Sequence, residues 1–142
     1  MSARYARQQV LVGDAGQARL AAATVVVDGD GLTSEVAALY LVGAGVGRVD
    51  VAPALVARVR DQNAEVVVSS EAARADAAPA LHATSEAEAW PAPVHVWPEP
   101  TVGTGTGAPG ARGEDAVDDP VGVGAELARR ALLALLGLGG AA

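Results

Sequence analysis

Val25-Val26-Val27-Asp28-Gly29-Asp30-Gly31-Leu32-Thr33-Ser34 reads as a buried strand, a glycine-rich turn and the start of a helix. In a nucleotide-binding α/β unit such a turn brings backbone close to phosphates, and the free N–H groups of the helix N-terminus attract the anion. Here Asp28 and Asp30 place carboxylates at that approach. At about 4 Å and an effective dielectric of about 20, each would repel a phosphate charge by roughly 4 kcal/mol, enough to abolish micromolar binding. Losing a glycine where φ is positive costs only about 1–2 kcal/mol. Charge is therefore the main objection to a nucleotide, and the stretch reads as a nucleotide-binding fold that has lost its nucleotide.

Outward from this turn the sequence reads as alternating helices and strands. A short helix over 17–23 leads into a strand at 24–27, whose continuous β-branched run predicts burial on both faces, as in a parallel sheet. Val36, Leu39, Tyr40 and Gly43 recur at helical spacing, so 34–43 is predicted as an amphipathic helix ended by Gly43, Gly45 and Gly47. A strand at 48–52 completes a β-α-β unit that crosses over right-handedly, and Pro53 stops it. Beyond it come a helical turn at 55–60, a third strand at 65–69 and an alanine-rich helix through about Leu81. Residues 94–97, flanked by Pro93 and Pro98, read as a short edge strand. The Gly, Thr, Pro and acid of 101–120 read as a flexible loop or linker, and 122–136 as a docked closing helix ended by Gly137. The fold class is α/β, a Rossmann-like three-layer arrangement on a mostly parallel, truncated sheet, in one domain over 1–142.

The chain has 142 residues and a net charge of −7. That length supports one compact core. The acidic balance argues against nucleic acid and gives no reason to expect an anionic membrane surface. All ten basic residues are Arg, so no Schiff base and no P-loop lysine is available. Zero Cys excludes disulfides, thioester chemistry and a Cys-based zinc site. There is no apolar signal segment at the N-terminus, and the apolar stretch 131–142 is too short and glycine-rich to span a bilayer, so a cytoplasmic protein is expected.

Three segments resemble the ThiF/MoeB/HesA family, bacterial relatives of ubiquitin-activating enzymes. Arg4-Tyr5-Ala6-Arg7-Gln8 followed by Gly16-Gln17-Ala18-Arg19-Leu20 is similar to the family's RYxRQ and GQxRL helix. Gly31-Leu32-Thr33-Ser34, with Val36 to Leu41 and Gly43-Ala44-Gly45-Val46-Gly47, resembles GGLGSxVAxYLAxAGVG. Val121 to Gly137 resembles the closing helix after the family's VVG turn. Together they cover roughly half the chain.

The departures are as informative. Asp28, Asp30 and Thr33 stand at three glycine positions of the family's GxGGLGS turn, leaving Asp28, Gly29, Asp30, Gly31 and Ser34 as a degenerate phosphate loop. Pro53 and Leu55 fall where the family carries its acidic ribose and metal residues, while Asp50 lies too early and within the strand. The family's phosphate-binding Lys, metal-binding Asp, CxxC pairs and catalytic Cys have no counterpart. The resemblance thus implies a non-catalytic pseudoenzyme without cofactor, acting as a dimerisation or scaffold subunit. Its partner would be a second copy, an active homologue, or a ubiquitin-like sulfur carrier. The alternative is a divergent adenylyltransferase using ATP and Mg²⁺.

Individual residues carry further readings. Arg7 is the survivor of the arginine that, in family dimers, reaches the partner's ATP as a finger in trans; the competing reading is a structural salt bridge. Asp28 and Asp30 at i and i+2 could share a hard cation, or form a solvated acidic turn in which Asp30 or Ser34 caps the helix. His82, placed at the end of the alanine-rich helix, and His95, within a strand, lack any sequence pattern of a triad. Trp90 and Trp97 among prolines form either a partner-binding patch or part of the core. Glu114, Asp115, Asp118 and Asp119 read as a solubilising loop.

Overall fold

The computed structural model describes residues 6–85, 94–97, 103–105 and 119–136. Helix α1 (Ala6–Ala21) is broken at Gly13, whose backbone is non-helical at φ 72°. Strand β1 (Ala23–Asp28) runs into the glycine turn and then helix α2 (Leu32–Ala44), which starts two residues earlier than periodicity indicated. Gly43 lies inside α2; its terminator is Gly45, left-handed at φ 89° with its N–H on the Leu41 and Val42 carbonyls.

Strand β2 (Arg48–Asp50) is shorter than expected, and Pro53 does more than stop it: it opens helix α3 (Pro53–Val59), where a missing N–H costs nothing. A 3₁₀ turn at Arg60–Gln62 and strand β3 (Val67–Ser69) follow. The alanine-rich helix through Leu81 does not form. Residues 70–79 are irregular, and Ala80–Ser85 is strand β4. Alanine propensity is a weak preference of tenths of a kcal/mol per residue. It is overridden by Pro79, by capture of the Ala72 and Arg74 amides on carboxylates, and by the pairing of β4 along the whole of β1. Strand β5 (Val94–Trp97) forms as expected but is not at the edge, because strand β6 (Gly103–Gly105), inside the stretch read as a linker, pairs with it. Helix α4 (Pro120–Leu135) closes the described chain, with the Asp119 side chain accepting from the Gly122 N–H at 3.1 Å as its N-cap.

The sheet order is β3-β2-β1-β4-β5-β6, that of an open Rossmann-like α/β sheet. Strands β1, β2 and β3 pair in parallel, while β4, β5 and β6 join antiparallel to their neighbours. Alternation divides the sheet. Val25, Val27, Val49, Leu81, Ala83 and Val96 are buried on one face and form a single apolar cluster with Ala37, Ala38 and Leu41 of α2, Leu55 and Val59 of α3, and Leu127, Ala131 and Leu135 of α4. The other face carries Thr24, Val26, Arg48 and His82, half-buried, and Thr84, exposed. The second helical layer of a three-layer fold is not among the described residues. No helix among them is long and apolar enough to cross a membrane.

The described core is built from Val, Leu and Ala; Tyr40, the aromatic residue of α2, is 56% exposed. Small side chains let α4 settle closely on α2. A Cβ at Gly124 would stand 2.5 Å from the Thr33 carbonyl oxygen and 2.9 Å from Val36 Cβ, whereas one at Gly43 would meet nothing nearer than Gln62 Nε2 at 3.7 Å. Replacing either glycine gains up to about 1 kcal/mol of helix propensity, but overpacking against a fixed carbonyl costs about 1–3 kcal/mol. Gly43→Ala is therefore expected to raise the urea midpoint and Gly124→Val to lower stability by about 2 kcal/mol; equal effects of the two would contradict this packing.

Candidate functional site

The turn after β1 is shaped by three residues. Gly29 has φ 93°, and a Cβ there would stand 2.6 Å from Ser34 Oγ, so glycine is required twice over. Ser34 does not cap α2; its buried hydroxyl donates back to the Asp28 carbonyl at 2.7 Å and closes the turn. The N-cap is Gly31, extended at φ −90° and without any side-chain cap, so neither Asp30 nor Ser34 takes that role. Asp30 is exposed.

Asp28 is buried and turned to partners within the chain. Its side chain is 3% exposed and lies against residues 74 and 82. Oδ1 accepts the Arg74 backbone N–H at 2.9 Å, and Oδ2 is 2.9 Å from His82 Nε2 and 3.5 Å from the Arg74 guanidinium. Burial alone would raise the Asp28 carboxyl. The hydrogen bonds from His82 and the Arg74 amide, with the charge of both side chains, outweigh it and hold the group below its ordinary value. Asp28 is thus committed to partners within the chain, whereas Asp30 is exposed.

The same neighbour fills the turn. The Gly29 N–H donates to the Arg74 carbonyl at 2.8 Å, and a Cβ on Gly29 would meet Ala77 O at 3.3 Å and Pro79 Cα at 3.5 Å. An amide that a phosphate-binding turn turns toward its anion is thus spent on the chain's own backbone.

Asp50 repeats the pattern one strand over. It lies within β2, as its last residue, and is 2% exposed. In a dinucleotide-binding sheet an acid about 20 residues past the turn serves the ribose. Here Oδ1 accepts from Ser69 Oγ at 2.6 Å and Arg48 Nε at 3.0 Å, and Oδ2 from the Ala72 N–H at 3.3 Å. Burial raises this carboxyl, and the bonds from Ser69 and Arg48 bring it below its ordinary value. Arg48 Nη2 extends the network to Glu71 at 3.0 Å.

Sequence reasoning missed Arg74 entirely and put His82 on a helix. The available signal was the alternation Leu81-His82-Ala83-Thr84 just after Pro79, a strand pattern read as part of an alanine-rich helix. His95 stands opposite His82 in the β4–β5 register. Arg7 lies near the start of α1, ahead of the Gly13 break, with its side chain outside the described residues, as are Trp90, Glu114, Asp115 and Asp118. Trp97 is the last residue of β5. Among the described residues there is no group of three or more His, Asp or Glu placed to hold a metal, and the Asp28 oxygens face Arg74 and His82 rather than Asp30.

No family model matches the chain. It is 43% identical over 70 residues to the HesA heterocyst protein of Trichormus variabilis, a match covering 48% of this chain and 26% of that protein. The chain therefore spans about a quarter of the curated relative it matches, and part of it is HesA-like.

Because Asp28 and Asp50 have lowered values in the fold, the unfolded chain binds protons more readily than the folded one. Their contribution is complete above the unfolded carboxyl value of about 4 and is lost as pH falls through the folded values. Asp28→Asn is expected to cost about 1–3 kcal/mol at pH 7. In urea melts its deficit relative to the unsubstituted chain should narrow toward pH 3; a deficit independent of pH would contradict the charged role of Asp28.

Proposed function

We propose that this chain is a nucleotide-free member of the ThiF/MoeB/HesA group that serves as a dimerisation or scaffold subunit. Its partner is an active homologue or a ubiquitin-like sulfur carrier. The observation that carries the reading is the double commitment of the turn to residue 74: the Gly29 N–H to its carbonyl, and the Asp28 carboxylate to its N–H. A phosphate would have to displace both bonds and pass Ala77 and Pro79, with the exposed charge of Asp30 beside it. The absence of Lys and Cys from the whole sequence supports the same conclusion, since neither a lysine clamp on phosphate nor a thioester can be made.

The HesA-like stretch is what motivates a homologue of that group as the partner class. Arg7, on the family-like N-terminal helix, is the residue of this chain best suited to act on a partner's nucleotide, as an arginine finger stabilising transferred charge.

The test is co-expression with a full-length HesA-type protein from the same source, followed by sedimentation analysis and ATP–pyrophosphate exchange. A stable heteromeric complex is expected, with Arg7→Ala leaving assembly intact and lowering the partner's exchange at least about tenfold. A chain that forms no complex and catalyses exchange unaided would overturn the proposal.

A further inference from the structure

Residues 70–79 join β3 to β4 as Ser-Glu-Ala-Ala-Arg-Ala-Asp-Ala-Ala-Pro, crossing the carboxyl ends of β2 and β1. The segment has modest apolar anchorage: Ala75 packs against the core and Pro79 is buried where the segment enters β4, while Glu71, Ala72, Arg74 and Asp76 are exposed. What fastens it is polar and local. Asp50 holds the Ala72 amide, Asp28 holds the Arg74 amide and, more distantly, its guanidinium, and the Gly29 amide holds the Arg74 carbonyl. Strands β1 and β4 and helix α2 are by contrast joined through the fully buried Val25, Val27, Leu41 and Leu81.

We propose that residues 70–79 form a strap that opens as a unit while the sheet and helices stay folded, and that Asp28 sets how long it stays shut. Segments with few buried apolar contacts open at lower free energy than the core. Opening breaks the bonds made by the Ala72, Arg74 and Gly29 amides, together with the Arg48–Glu71 ion pair, and withdraws Ala75 from the edge of the apolar cluster while its fully buried members stay packed. It uncovers the Gly29–Ser34 turn, so anything that docks there binds with an apparent affinity reduced by the fraction of open molecules. Asp28 is the positioning group, since one buried carboxylate ties the strap to β1 through Oδ1 and is itself braced by His82 through Oδ2.

The inference rests on reading the turn as filled by the chain's own backbone, and it is tested without any ligand, so a failure here leaves the nucleotide question separately answerable. The experiment is native-state amide hydrogen exchange on the full chain over a range of sub-denaturing urea. Expected for the unsubstituted protein is exchange of the Gly29, Ala72 and Arg74 amides through an opening nearly independent of urea, far more frequent than the urea-dependent opening that exposes Val27 and Leu41. Asp28→Asn, and independently His82→Gln, should raise strap opening about tenfold or more, since bonds to a charged group are lost. Leu127→Ala, which loosens the core alone, should speed exchange at Val27 and Leu41 and leave Gly29 and Arg74 unchanged. Strap amides that exchange only with the core, or that follow Leu127→Ala in step with it, would overturn the proposal.

Discussion

One buried carboxylate organises the end of this molecule where an α/β sheet ordinarily meets its ligand. Asp28 closes β1, and its two oxygens reach residues 46 and 54 positions away in sequence, Arg74 and His82. Removing an ion from water costs several kcal/mol, and the cost is recovered only when lone pairs are met by good donors. Here a backbone amide, an imidazole and a guanidinium meet them. Once that arrangement is in place, the segment after β3 must lie across the turn, the Gly29 amide must face Arg74, and β4 must present His82 toward β1. Asp50 makes the same demand of Ser69 and Ala72 beside it. Two acids at the carboxyl ends of neighbouring parallel strands thus bind the protein's own chain.

The rest of the fold is arranged so that this end can be polar. The buried apolar side chains Val25, Val27, Val49, Leu81, Ala83 and Val96 of β1, β2, β4 and β5 fall on one face and are roofed by α2, α3 and α4. Fully burying each of Leu41, Leu81, Leu127 and Leu135 contributes about 1.5–3 kcal/mol. The opposite face is more polar, carrying Thr24, Arg48, His82 and Thr84 beside a half-buried Val26. Among the described side chains no aromatic one is buried under the roof, which is held by close approach, with Gly124 seated on the Thr33 carbonyl at the start of α2.

Local signals carried a good part of this into the sequence. The β-branched run before the turn, the helical spacing from Val36 to Gly43 and the glycines after it placed β1, α2 and β2 within a few residues. The resemblance to the ThiF/MoeB/HesA pattern rested on the same stretch. What was illegible depended on partners distant in sequence. Residues 70–81 have the composition of a helix, and only the carboxylates of Asp28 and Asp50, together with the edge offered by β1, turn them into a strap and a strand. For the same reason Asp28 was read as a charge facing a phosphate, when its partners lie on segments that no local pattern ties to it. The strand 103–105 was hidden by a Gly-Thr composition that gains its order from pairing with β5.

Closure of the turn after β1 to nucleotide is the property on which the proposed function depends. Isothermal titration calorimetry of the folded chain with ATP and Mg²⁺ tests this most directly. The arrangement of Asp28, Gly29 and Arg74 predicts no binding heat with ATP up to about 1 mM. A dissociation constant at or below about 100 μM, roughly −5.5 kcal/mol, would show that phosphate displaces the chain's own backbone and would contradict it.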